Sequence, residues 1–323
     1  MKKELGIAAL LVVLAVVVAI MEPHFLQPDN IRAMLNRISM YGIFSIGCGI
    51  VIITGGIDLS IGSVFALMGV VLVSLLRQYH WPWPLALAAV TAGCMVLGAL
   101  HGLLVTKMRL QPFIVTLCGL LIYRSQARYL ADESDKGFGN QTFGLLETLT
   151  RGRIPVFGHY EIPAAFLVLL AVSIIMWVVL HWSIYGRYLY AVGRNEEAAR
   201  YSGINTKLVI ASAYVVAMIL VAISGILFVF DIRSVTPTTF GGSYELYGIA
   251  AAVLGGCSLR GGEGSILGIV LGAALLQLLM NLVTLLNFPS CQEGAVMGVV
   301  ILLGVTFDQF LASRRGAALA VKA

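Results

Sequence analysis

Apolar residues in this chain come in long unbroken runs, and the polar residues gather in the short gaps between them. That is neither the 3.6-residue stripe of a surface helix nor the alternation of a half-buried strand. A bilayer core of about 30 Å is crossed by roughly 20 helical residues. Runs of that kind lie at 5–22, 38–54, 60–76, 83–106, 110–130, 161–183, 208–230, 265–286 and 293–312, with a shorter one at 244–257. The pattern predicts an all-α, polytopic membrane protein, a single transmembrane domain over 1–323 with about ten spans. The second and third runs are divided only by a glycine-rich break.

Composition supports this picture. Apolar residues make up 59% of the 323 positions and charged residues only 11%, against roughly a quarter in soluble domains. A mean hydropathy of +0.94 cannot be hidden in one globular core, so the surface itself is apolar and lipid is its solvent. The net charge of +5 reads as topology rather than nucleic-acid binding, because the basic residues sit between the runs. Met1-Lys2-Lys3 precedes the first run with no small-x-small cleavage site after it, which reads as an uncleaved first span with its basic end in the cytoplasm. With ten spans both termini then lie inside. Twelve of the 21 basic residues fall on that side, chiefly between Arg187 and Lys207 and at Arg314 and Arg315. The longest polar stretch, 131–160, falls outside and reads as a solvated loop or a cap on a pathway. His80-Trp81-Pro82-Trp83 has the make-up of an interfacial turn.

Two stretches look alike. Val51–Gly69 and Val253–Gly272 each run apolar, then Gly-Gly, then a short polar break, then apolar and glycine-rich again. Interrupted segments at matching places in two halves mark transport sites in several transporters, and plain glycine loops give the same pattern.

Few polar residues interrupt the runs, so each one counts. Asp58, with Ser60 and Ser63 beside it, lies between two spans. It reads either as a cap on the third helix or as an intramembrane group facing a pathway. Thr116 opens the fifth span. Arg124 and Arg128 share one helical face near its far end, bordering a polar cavity or snorkelling to headgroups. Glu245 and Asn281 offer hydrogen bonds to a polar solute or fasten helices to each other. The inner segment 184–208 differs in kind. Asn195, Glu196, Glu197, Ala198, Ala199 and Arg200 predict a short capped helix with acids in its first turn, stopped by Gly203, which suits a docking surface.

Enzymatic readings lack residues. The chain has no GxxxxGK[ST], no HExxH and no GxSxG, so it holds no P-loop nucleotide and no motif of those hydrolases. Its five cysteines form no CxxC pair and read as small apolar side chains. No cofactor or metal is expected.

Four motifs occur in order: Gly55-Gly56-Ile57-Asp58-Leu59-Ser60-Ile61-Gly62-Ser63; Gln111-Pro112-Phe113-Ile114-Val115-Thr116-Leu117; Tyr190-Ala191-Val192-Gly193 leading into Asn195–Ile204; and Tyr244-Glu245-Leu246 with Ala250–Gly256 and Gly261-Gly262. With them the chain resembles the permease subunits of bacterial ABC importers for ribose, xylose, arabinose and related sugars. The resemblance implies a permease of about ten spans in the inner membrane, working as a dimer with a second copy or a paralogue. It implies an ABC ATPase on the cytoplasmic side, with Asn195–Gly203 as its coupling segment. It also implies a periplasmic sugar-binding protein outside. Four positions depart from the family's usual residues: Tyr247 where Asp is usual, His101 for Asn, Ser125 for Gly, and Arg194 for Gly. A self-sufficient secondary transporter or channel is the competing reading. It would need several intramembrane acids, and only Asp58 and Glu245 qualify.

Overall fold

In the computed structural model the described residues are 2–286, except 158, and isolated positions beyond. The tenth expected span, 293–312, lies almost wholly outside them. Among the described residues seven helices are long and apolar enough to cross a membrane. They are α1 (Lys2–Met21), α2 (Pro28–Ile53), α3 (Ile61–Val73, carried on by a π-helical turn to Gln78), α4 (Trp83–Thr106), α7 (Ala164–Trp182), α10 (Thr206–Ile232) and α12 (Ile266–Leu285). A further 19-residue helix, α5 (Pro112–Leu130), is diluted by Arg124 and Arg128. The eighth expected span is the correction. Its helix, α11 (Tyr244–Leu254), has 11 residues, about 16 Å at 1.5 Å per residue, half of what a bilayer core demands.

α2 is the central mast. Every residue from Ile38 to Ile53 except Tyr41 is buried, as expected of a helix apolar all round. α7, α10, α11 and α12 pack around it. It begins ten residues before its apolar run because Pro28–Arg37 is helical but polar. α1 lies on the outside against α12, with Leu5, Leu10, Val13 and Ile20 exposed, the surface that lipid covers.

α4 packs closely along α10. Gly98 and Gly102 set their bare faces on the α10 backbone, where an added Cβ would meet Tyr214 O at 2.7 Å and Ala211 Cα at 2.5 Å. Small residues four apart let membrane helices approach this closely.

The stretch 131–163 is more than a solvated loop. It folds into β1 (Lys136–Gly137), α6 (Leu145–Arg151) and the hairpin of β2 (Arg153–Phe157) with β3 (Tyr160–Pro163). β1 pairs antiparallel with β4 (Ser234–Val235), just past α10. Arg233, in left-handed backbone, pins this cover by donating to Glu147 Oε1 at 2.5 Å and to Gln141 O at 2.6 Å. The opposite face carries two helices where one was expected: α8 (Ile184–Arg194) and α9 (Glu196–Tyr201).

The glycine stops of the look-alike stretches both exist. α2 ends on Gly55 (φ +84°) and α11 on Gly256 (φ +91°), the left-handed residues that close helices. The two breaks also touch, since Gly262 N donates to Ile53 O at 2.8 Å.

Candidate functional site

Two segments of non-helical backbone enter the bundle from opposite faces. Thr54–Ser60 climbs from the end of α2 between α4 and α5 before α3 begins. Thr236–Ser243 descends from β4 before α11 begins. Irregular backbone at membrane depth survives only where protein or a cavity satisfies its polar groups.

The segments meet at Gly62 and Gly241. A Cβ on either glycine would strike the other's carbonyl, so neither position accepts a side chain. Arg124 fastens the meeting point. Its Nη1 donates to Phe240 O at 2.6 Å and Pro237 O at 3.1 Å, and its Nη2 donates to Gly62 O at 3.1 Å. A planar fork with several fixed donors suits three converging carbonyls. The Glu245 carboxylate, in the first turn of α11, lies so close to Gly62 that a Cβ there would strike its Oε2, and it is within electrostatic reach of Arg124. Arg124 and Arg128, expected to act together, part company: Arg128 pairs with Glu133 at 2.8 Å on the surface.

Below this junction lies a buried polar cluster. Asp58 is 3% exposed. Its Oδ1 accepts from Ser60 N at 2.8 Å and Ser60 Oγ at 2.7 Å. Asp58 therefore turns its own segment and does not cap the first turn of α3. The capping position is Ser60, which makes no side-chain cap bond because its hydroxyl is given to Asp58. Asp58 Oδ2 lies 3.7 Å from His101 Nδ1 on α4, and neither atom has a hydrogen-bond partner among the described residues. His101 Nε2 sits 2.9 Å from the Tyr123 hydroxyl. Thr116 donates to Ile57 O at 3.3 Å and Pro112 O at 2.9 Å, tying the climbing segment to α5. Ser63 spends its hydroxyl on Ser60 O, at 2.6 Å.

The structure thus gathers Asp58, Ser60, Ser63, Thr116, Arg124 and Glu245 into one region and leaves Asn281 out. Asn281 exchanges amide hydrogen bonds with Asn30 at 2.7 and 3.2 Å, fastening α12 to the start of α2. His101, Tyr123 and Tyr214 join the cluster unforeseen. For His101 the sequence did hold a signal, since it is one of the four departures from the family pattern.

A cavity of about 640 Å³ opens beneath the cluster. Gly56, Thr106 and Tyr214 are among its lining residues, as are Arg109, Glu196, Glu197 and Lys207. α9 forms part of its wall. Asn195 caps α9 by accepting from Ala198 N at 3.0 Å. Gly203 (φ +85°) ends it, with Ile204 N bonded back to Ala199 O and Gly203 N to Arg200 O, the paired closure that a left-handed residue permits. Glu196 accepts from Thr206 Oγ1 at 3.1 Å, Ala199 is buried, and Glu197 is exposed beside Arg200, 3.7 Å away. Behind α9, the end of α8 is wedged into the breaks: Gly193 lies against Ile53 O and Gly262 N with no room for a Cβ. Tyr190 donates to Gly264 O at 2.7 Å. Burial pushes that hydroxyl up to about 12, so it stays a donor at any physiological pH.

The comparisons with known proteins agree with one another. Residues 30–305 match the family model described as "Branched-chain amino acid transport system / permease component". The ribose import permease RbsC of Bacillus subtilis is 36% identical over 310 residues, 95% of this chain and 93% of that protein. Escherichia coli RbsC is 36% identical over 307 residues, with the same coverage. The D-allose transport system permease AlsC of Escherichia coli is 30% identical over 307 residues, 93% of this chain and 90% of that protein. No solved structure matches the chain.

Proposed function

This chain belongs to the family of branched-chain amino acid transport system permease components, and from that membership we propose that it is the permease subunit of an ATP-driven monosaccharide importer. The similarity to ribose import permeases over almost the whole of both chains carries this reading. The cargo is a pentose such as ribose. The chain itself performs no chemistry: an ABC ATPase supplies the energy, a periplasmic sugar-binding protein delivers the sugar, and a second permease copy or paralogue completes the pore. The membrane is the bacterial cytoplasmic membrane, with the α8–α9 face and both termini inside.

In this reading α9, with Asn195, Glu196, Glu197, Ala198, Ala199 and Gly203, is the coupling element. Three observations support it. α9 is closed by its own caps, so it moves as a unit. It walls the cavity that reaches Gly56. The adjoining Gly193 is in contact with the end of α2, so a displacement of this face reaches the Thr54–Ser60 segment directly. That segment, with Ser63, Thr116, Arg124 and Glu245, is the gate region of the pathway. Asn281 serves as an interhelical fastener.

The test is uptake of labelled pentoses and hexoses into cells carrying the permease and its partner genes, with and without the ATPase. Uptake of one sugar that vanishes without the ATPase supports the importer and names its cargo. Uptake that persists without the ATPase overturns it in favour of a secondary transporter.

A further inference from the structure

We infer that Arg37, Tyr41, Tyr247, Gln277 and Thr284 form a transit site for one polyhydroxylated edge of the cargo, separate from the gate region and on the other side of α11. The inference rests on the importer reading above. These residues line one small cavity, of about 60 Å³, enclosed by α2, α11 and α12. That is room for one edge of a sugar ring, held in passing.

The lining has the make-up of a site for a neutral hydroxylated solute. Gln277 is only 6% exposed, yet its amide has no hydrogen-bond partner among the described residues. Gln277 lines the cavity, so its carboxamide is available to a solute there. Arg37 and Thr284 stand at the exposed rim, and Arg37 lies within electrostatic reach of Asp231. The walls are aromatic: the rings of Tyr41 and Tyr247 lie 5.8 Å apart, edge to face. Polar groups few in number on an aromatic lining are the usual composition of a small-ligand site. A guanidinium and a carboxamide donate to and accept from hydroxyls, whereas an anionic cargo would meet only one cation and a cationic cargo no carboxylate.

The position makes sense of one departure from the family pattern. Tyr247 stands where Asp is usual, so this cavity carries an aromatic wall in place of a carboxylate. Residues 245 and 247 point to opposite sides of a helix. α11 therefore presents Glu245 to the junction with α3 and Tyr247 to the cavity.

The experiment measures sugar import and ATP hydrolysis together, in membrane vesicles holding the permease with its ATPase and binding protein. Ribose and allose are the probes. Gln277→Leu and Arg37→Gln are each expected to lower the sugar imported per ATP about tenfold, the equivalent of ~1.4 kcal/mol. They should also shift the ribose-to-allose ratio while hydrolysis continues. Import at the wild-type rate and ratio in both variants overturns the site and leaves the importer reading intact. A parallel fall of import and hydrolysis overturns it too, since that marks a structural role. Should Gln277→Leu fail to reach the membrane, Arg37→Gln at the exposed rim decides alone. Wild-type vesicles showing no ATPase-dependent import of any sugar would instead sink the importer reading.

Discussion

The junction at Gly62 and Gly241 and the helix α9 are both short, both polar, and built on opposite principles. The junction joins residues far apart in sequence: Arg124 reaches carbonyls of residues 62, 237 and 240. α9 is closed by neighbours, Asn195 at one end and Gly203 at the other. The junction lies inside the bundle, where every unmet carbonyl is costly. α9 lies at the surface, where water covers a missing bond. Substitutions in the junction should therefore damage the fold, and substitutions in α9 should damage coupling.

The largest effect is expected at the glycines. Gly62→Val or Gly241→Val forces two backbones apart, and overpacking of this kind costs about 3 kcal/mol or more. Loss of folded permease from the membrane, read by detergent-resistant size-exclusion profile, is the expected result. A normal profile would show that the segments do not meet as described. Next comes Arg124→Met. Three carbonyls lose a charged donor, with each such hydrogen bond contributing about 1.5–3 kcal/mol. A clear drop in thermal unfolding temperature in micelles should follow, and Arg124→Lys should not restore it, because a single ammonium lacks the fork. An unchanged unfolding temperature would break the contrast.

On the other side the numbers shrink. Asn195→Ala removes one cap, about 1 kcal/mol, and should shorten the life of α9 without unfolding the bundle. Limited proteolysis between α8 and α10 measures that directly. The smallest stability effect, within about 0.5 kcal/mol, belongs to Glu197→Lys at the exposed face. This variant should leave the permease folded while uncoupling ATP hydrolysis from uptake. Full uptake in Glu197→Lys would remove α9 from the coupling role.

The same contrast explains what the sequence disclosed. α9, its cap and its stop were legible because they follow local rules three to five residues long. The long helices were legible because lipid imposes a length and a composition on them. The junction was not. Gly241 and Pro237 carry no periodicity, and nothing near Arg124 in sequence names the carbonyls it will find. Asp58 was recognised as unusual, with its role left open between a cap and a buried group, because a cap and a buried turn use the same Asp-x-Ser spacing. α11 was taken for a span because the apolar run 244–257 continues past Gly255 and Gly256, where the helix has already closed. His101 stood out only against the family pattern, and its meaning came from Asp58, 43 positions earlier in the numbering.

The shortness of α11 bears on how the protein is made. A nascent helix of 11 residues is too short to leave the translocation machinery for lipid by its own hydropathy. It must stay at the machinery, or beside the half-built bundle, until α12 emerges to join α2 in covering its two sides. The order of synthesis then becomes an order of assembly. A ribosome stalled before α12 should expose α11 to labelling from water, and one stalled after it should not.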